Sequence, residues 1–344
     1  MRYNPRTMDP QSKLELSHDP RSGTNGRPRD DTPRKLVSAY DLAKVAFFVA
    51  GFPRNGFGSI DVTNRCNLRC RHCYFYEQDL PEELTVEQWV AKLEEIRRTS
   101  PLWEFPFFNC TWVGGEPLLR KELVERCRRY FRYNTVVTNG TIPLPDWPDV
   151  NWYVSIDGDE ETHEYLRDKK GSYARAKRHV AENTHLGITI AYCISRRNAH
   201  CIEQVVRDWY EVGAMHMTFD FYTPIEGIPD DELWVPFDER DRLLETLIAL
   251  RRIYGDFFVI PERVFTMMRS DRCREVTDRC MLHSKSFALD AAGRSKGKCV
   301  MGDKADCDRC GCVVPYYLRS LTDRRMILRD LGHSLVRAVV RHSA

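Results

Sequence analysis

Residues 58–73 read GSIDVTNRCNLRCRHC. The first six carry the β-branched residues Ile60, Val62 and Thr63, which suit a strand. The next ten are polar and hold three cysteines at Cys66, Cys70 and Cys73. A strand that runs straight into a polar, functional loop is the opening of a β/α unit. The chain downstream repeats that pattern. Short β-branched or aromatic runs at 107–113 (FFNCTWV), 134–138, 150–156, 187–194 and 215–221 alternate with stretches of helical period. The predicted helices start near Thr85, where Thr85 and Gln88 have capping-box spacing, and lie near 121–130, 172–184 and 200–212. Six strands alternating with helices predict an α/β fold, a partial (β/α)6 barrel with its sheet parallel.

In such a sheet the loops after the C-terminal ends of the strands hold the chemistry. The notable motifs fall there. NRCNLRCRHC follows the first strand, GGEP (114–117) the second and TNGT (138–141) the third, while Ser155 to Gly158 closes the fourth. Three thiolates on one short loop repel one another unless a cation sits among them. A structural zinc usually takes four protein ligands. A cubic [4Fe–4S] cluster held by three thiolates leaves one iron open. The spacing alone leaves both readings standing.

The rest of the rim carries a resemblance. CxxxCxxC at Cys66, Cys70 and Cys73, with His72 at a position that is usually aromatic, followed one βα unit later by Gly114, Gly115, Glu116 and Pro117, resembles the radical S-adenosylmethionine (radical SAM) superfamily. SIDGDEETHEYLR (155–167) is similar to the S-x-D-G…R segment of members that modify peptides and other bulky substrates. The resemblance implies a [4Fe–4S] cluster on the three cysteines and S-adenosylmethionine on its open iron. It implies an electron donor such as flavodoxin or ferredoxin, and cleavage of the sulfonium to a 5′-deoxyadenosyl radical. It also implies cofactor contacts at His72, Gly114, Gly115, Glu116, Asn139, Ser155, Asp157 and Arg167, with Glu116 accepting from the ammonium and Arg167 pairing with the carboxylate. Strand five departs from the family, since GITIAYCISRRN stands where a G-x-I-x-G-x-x-E pattern is expected. No residue stands out as a catalytic base or hydrogen donor.

A second unit is expected after residue 235, with helices near 238–253 and 262–270 and then Cys280, Cys299, Cys307, Cys310 and Cys312. FALDAAGRSKGKCV (287–300) reads as a hairpin turning at Gly293, and CDRCGC follows. This resembles the shortened, twitch-type form of the SPASM auxiliary-cluster domain, with ligands for one further iron–sulfur cluster; zinc is the rival. Cys110, Cys127, Cys193 and Cys201 sit in strand or helix patterns as small core residues, and Cys273 reads as structural.

Composition bounds the rest. With 52 Lys+Arg against 50 Asp+Glu, a net charge of +2 supplies no field that selects nucleic acid. Thirteen cysteines, an odd number, without a secretory signal argue for reduced thiols and a cytoplasmic protein. Residues 1–34, rich in Pro and polar residues, read as a disordered leader, 35–235 as the barrel and 236–344 as the helical and auxiliary region. LAKVAFFVAGF (42–52) is too short to span a bilayer. A basic amphipathic helix expected at 323–341 suits docking on the body, or contact with a membrane surface. The substrate stays open between a peptide, protein or natural product and a lipid or isoprenoid. A zinc-binding scaffold without catalysis is the reading from another class.

Overall fold

The structure is a computed structural model, and residues 56–100 and 108–322 are described. Strands β1 (Phe57–Asp61), β2 (Asn109–Val113), β3 (Tyr133–Thr138), β4 (Val150–Ile156), β5 (Thr189–Ile194) and β6 (His216–Phe221) fall within two residues of the runs read from sequence. Between them lie α1 (Val86–Thr99), α2 (Lys121–Cys127), α3 (Glu160–Arg167), α4 (Ser172–Glu182) and α5 (Ile202–Val212). The capping box at α1 is formed: the Thr85 hydroxyl accepts from Gln88 N–H at 3.2 Å and Gln88 Oε1 accepts from Thr85 N–H at 2.7 Å. Trp89 and Leu93 then bury the inner face of the helix.

The C-terminal region supplies α6 (Phe237–Tyr254), α7 (Glu262–Met267), α8 (Cys273–Thr277), α9 (Met281–Lys285), β7 (Ser286–Leu289) and α10 (Val314–Thr322). Strand β7 changes the expected architecture. The stretch read as a hairpin arm runs parallel to β1, from Phe57 opposite Ser286 to Ile60 opposite Leu289. The hairpin shrinks to one bridge, Leu289 to Ser295, around Gly293, whose φ of 71° suits glycine. The sheet therefore has seven strands, all parallel, in the order β6-β5-β4-β3-β2-β1-β7. The expected second unit contributes an edge strand to the first.

Strand alternation decides what the barrel holds. Ile60, Trp112, Val136, Trp152, Val154, Ile190 and Phe219 are buried in the hydrophobic core. Their neighbours Ser59, Thr111, Thr135, Ser155, Ala191 and Thr218 are small and line a central cavity of about 1510 Å³. Small side chains on the inner face leave the lumen open. The leader, the 42–52 run, Phe107 and the helix read at 323–341 lie outside the described residues. Among the described residues no helix is long and apolar enough to cross a membrane.

Candidate active site

The cysteine loop and the GGEP loop are stitched together by backbone. Val62 N–H donates to Val113 O, Gly115 N–H to Thr63 O and Glu116 N–H to Arg65 O, each at 2.8 Å. This continues the β1–β2 ladder beyond the strands. The reason for the glycine pair is now visible. Gly114 has a φ of 113°, and a Cβ there would lie 2.9 Å from Thr63 O; one on Gly115 would collide with the Arg65 carbonyl. The glycines' nearest neighbour is thus the cysteine loop itself, and both also line the central cavity. From outside, Glu83 accepts from Thr63 Oγ1 and Asn64 N at 2.7 Å, and Arg120 bonds Glu83 and the Val62 carbonyl at 3.2 and 3.1 Å. Neither Glu83 nor Arg120 was singled out from sequence.

Glu116 is 1% exposed, and its carboxylate serves three donors of the chain: Thr138 Oγ1 at 2.7 Å, Asn139 N at 2.8 Å and Leu118 N at 3.1 Å. Burial pushes its pKa up, and these hydrogen bonds oppose the rise. Glu116 therefore ties the second rim loop to the third, and a carboxylate accepts about four hydrogen bonds. Asn139, turned inward by this tie, donates Nδ2–H to Asn67 Oδ1 at 2.9 Å and to Cys66 Sγ at 3.9 Å; Leu68 N–H lies 3.4 Å from the same sulfur. Burial pushes the Cys66 thiol up and the Leu68 N–H bond opposes the rise, and two donors aimed at one sulfur would tune a metal bound there.

On the opposite side, Asp157 is 1% exposed and faces Arg167 Nε at 2.5 Å and His72 Nε2 at 3.4 Å. Burial works against its charge, but Arg167, His72 and His163 outweigh it and hold the carboxyl below the ordinary aspartate value. Arg167 thus has a carboxylate partner within the chain besides the cofactor carboxylate expected of it. Asp157 is fixed at its backbone too, where N–H donates to His163 Nδ1 at 3.2 Å and the carbonyl accepts from Asn198 Nδ2 at 3.0 Å. Its Oδ1 is buried with no hydrogen-bond partner. Asn198 was missed in the sequence.

Cys66, Cys70, Cys73, His72, Gly114, Gly115, Glu116, Asn139, Ser155, Asp157 and Arg167 all line the central cavity. Every rim residue read as a cluster ligand or cofactor contact thus converges on one space. Burial pushes the Cys70 thiol up to about 12, with Arg167 opposing and Cys73 adding to the rise. Among the described residues the trio of Cys, His, Asp or Glu whose donor atoms all lie within 4.8 Å of one another is Asp159, His200 and Cys201. The three loop sulfurs are spread wider. Three thiols facing one cavity form a soft donor set, which fits an iron–sulfur cluster or zinc.

The tail cysteines pack above the end of β6. Phe221 N–H donates to Gly311 O and Gly311 N–H to Thr223 Oγ1, both at 2.9 Å. Asp220 accepts from Val313 N at 2.7 Å, and Cys312 lowers its pKa through a hydrogen bond, while burial drives it up to about 6. Cys280 lies within electrostatic reach of Cys299 and Cys307, and Cys310 within reach of Cys280 and Cys299, all of them after burial in weight. Cys312 is within reach of Cys310 and Cys299 as well, and it also lines the barrel cavity. Cys193, read as a core residue, also lines it, because its strand position faces inward like Ala191. Cys110, Cys127, Cys201 and Cys273 are buried as expected.

Residues 60–208 match the family model described as the Radical SAM superfamily. Over 173 residues, 45% of this chain and 40% of the relative, the sequence is 28% identical to the sporulation killing factor maturation protein SkfB of Bacillus subtilis (strain 168). Over 161 residues, 43% of this chain and 38% of the relative, it is 32% identical to the pre-heme d1 synthase of Dinoroseobacter shibae. The matched stretches thus span about two fifths of these relatives. The fold resembles Streptococcus suis SuiB bound to S-adenosylmethionine, with a TM-score of 0.58 at 12% identity over 83% of this chain and 71% of the other. SuiB bound to its precursor peptide SuiA gives a TM-score of 0.56 over 83% and 70% at the same identity. The match to the radical SAM family model thus spans the cysteine loop, GGEP and the Ser155–Arg167 segment.

Proposed function

We propose that the chain is a radical SAM enzyme acting on a peptide, protein or natural-product substrate. The observation that carries the reading is convergence: three thiols, a buried aspartate–arginine pair and an open, largely apolar lumen share one cavity. Cys66, Cys70 and Cys73 would hold the cluster. When bound, a [4Fe–4S] cluster with an open iron supplies the electron that splits S-adenosylmethionine into methionine and a 5′-deoxyadenosyl radical. The chain's own residues do the rest. Asn139 and Leu68 N–H stabilise the Cys66 thiolate. Asp157, Arg167 and the Glu116 loop present fixed charges of both signs, which suits the ammonium and carboxylate of an amino-acid cofactor. Phe57, Tyr153, Met215 and Phe287 on the lumen wall exclude water, the condition a carbon radical requires.

Likeness to SkfB and to SuiB with its peptide supports a peptide substrate. The apolar lumen also favours a substrate with a hydrocarbon portion, so a lipid or isoprenoid is the second reading. We place the tail metal on Cys280, Cys299, Cys307 and Cys310: Cys307 and Cys310 each lie within electrostatic reach of both Cys280 and Cys299, while Cys312, within reach of Cys299 and Cys310 as well, is engaged by Asp220 and lines the barrel cavity. The test is anaerobic purification followed by incubation with S-adenosylmethionine and a strong reductant. Formation of 5′-deoxyadenosine, lost in Cys70→Ala, supports the reading. A colourless protein holding only zinc after anaerobic reconstitution, with no cleavage, would refute it.

A further inference from the structure

Arg240 is an anomaly of charge. It sits on α6 with 0% of its surface exposed. Its Nη1–H donates to the Cys310 carbonyl at 3.0 Å, while Nε and Nη2 have no hydrogen-bond partner. The guanidinium lies 5.0 Å from the Phe221 ring centroid and 4.9 Å from that of Phe237, with the Tyr316 hydroxyl, the Cys273 thiol and Asp241 within electrostatic reach. Among the described residues no carboxylate lies within ion-pair distance of it. Asp241, its neighbour in sequence, is occupied by Ser270 N–H at 2.9 Å and Ser270 Oγ at 2.5 Å. The other buried cation near the tail is different: Lys296 lies 2.7 Å from Asp61, and both side chains are 3% exposed.

A guanidinium does not lose its proton in a protein, so it cannot escape burial by neutralising. A buried cation without an anion is strongly unfavourable. Ring quadrupoles offset a small part of that cost. The missing anion is to be sought next to the hydrogen bond Arg240 does make, and there the chain places its cysteine cluster. A metal–tetrathiolate group, whether zinc or a four-iron cluster in its oxidised state, carries net negative charge. We propose that Arg240 is the built-in counter-cation of an anionic metal–thiolate group held by Cys280, Cys299, Cys307 and Cys310. The inference rests on the reading of the tail as a metal centre and gives it a positioning residue outside the ligand set. It also accounts for the carbonyl contact, which fixes the Cys310 backbone relative to α6.

The test uses the full-length, anaerobically reconstituted protein and three variants: Arg240→Met, which keeps length and loses charge; Arg240→Lys, which keeps charge; and Cys299→Ala with Cys310→Ala, which defines the tail metal. The readouts are the rate at which tail metal passes to a chelator and the unfolding midpoint before and after tail metal is removed. Arg240→Met should release tail metal at least tenfold faster, and Arg240→Lys should restore retention. Where the tail metal is iron, the Met variant should also move its reduction potential to a more negative value. Once the tail is emptied, Arg240→Met should be more stable than the parent chain, since it no longer buries an unmatched charge. A merely structural hydrogen bond predicts the opposite, loss of stability in Arg240→Met with the tail emptied as well as filled. Retention unchanged in Arg240→Met overturns the counter-cation alone. Metal content unchanged by the double cysteine variant overturns the tail centre and the counter-cation with it. If Arg240→Met does not fold, Arg240→Gln takes its place in the same comparison.

Discussion

At the mouth of the barrel a buried arginine, Arg167, faces a buried aspartate; beside the tail a buried arginine, Arg240, faces none. At the mouth Asp157 answers Arg167 before anything binds, with His72 3.4 Å from the same carboxylate. A pair matched in this way suits a diffusible cofactor that comes and goes. The tail is unbalanced until an anion arrives, which suits a resident group that stays. The contrast separates the side of the mouth opposite Glu116, where the buried charges are matched within the chain, from the tail, where Arg240 is not.

The largest effect that would break this comparison is on metal content. Replacing Cys66, Cys70 and Cys73 together by Ala should abolish S-adenosylmethionine cleavage and remove the mouth metal while leaving the tail metal in place. Metal analysis of the folded variant checks this. Loss of both metals would show that the two sites are not separate and that the contrast between them is empty.

Next in size is Asp157→Asn. It leaves Arg167, 11% exposed, without its carboxylate. Breaking one partner of a buried ion pair costs about 3–5 kcal/mol. Denaturant unfolding of the reconstituted protein should show a loss of that order. A loss well under 1 kcal/mol would mean that Arg167 reaches solvent or a second anion, and that the mouth resembles the tail after all.

A pH experiment sharpens the comparison through a second aspartate–cation pair. Asp61 is buried beside Lys296, yet burial outweighs the lysine and raises its pKa to about 6. Asp157 is shifted the other way. The folded state therefore holds the Asp61 proton after the unfolded chain has released its own near the ordinary value of 3.8. Stability from this group falls as pH rises from about 4 to about 6 and is level above, a total of up to about 3 kcal/mol. For Asp157, stability is present above the ordinary aspartate value and is lost as pH falls through its depressed one. Asp61→Asn should flatten the fall between about pH 4 and 6 in unfolding curves of the metal-free chain. An unchanged slope would place the proton elsewhere.

Much of this was legible in the sequence because its determinants are local. The six strands are β-branched runs bounded by turn residues, the α1 cap is a four-residue signature, and the three mouth cysteines lie within eight residues. What was not legible depends on partners far along the chain. SFAL in β7 is four residues long and is assigned to the sheet by β1, more than 200 positions earlier. Arg240 in FDERDRLLETL reads as one more solvated charge of an amphipathic helix, and only the packing of the Cys310 loop on α6 buries it. Asn198, Glu83 and Arg120 act on backbone groups of other loops, a role that leaves no spacing pattern. The GGEP glycines were visible, but the surface they approach was not.

The smallest predicted effect concerns Glu116, whose two candidate roles separate by measurement. Its carboxylate holds Thr138 Oγ1, Asn139 N and Leu118 N, so Glu116→Gln turns one acceptor into a donor facing donors of the chain. An unsatisfied or repelled buried donor costs about 1–3 kcal/mol. If Glu116 acts mainly as a tie between loops, the variant should lose stability of that order, and cofactor cleavage should recover when S-adenosylmethionine is raised. Asn139 gives the matching readout, because loosening it weakens the hydrogen bond to Cys66 and should shift the mouth metal's potential downward. If instead stability is unchanged and cleavage is lost at every cofactor concentration, the carboxylate works on the cofactor directly. The mouth would then carry, like the tail, a charge whose true partner arrives from outside the chain.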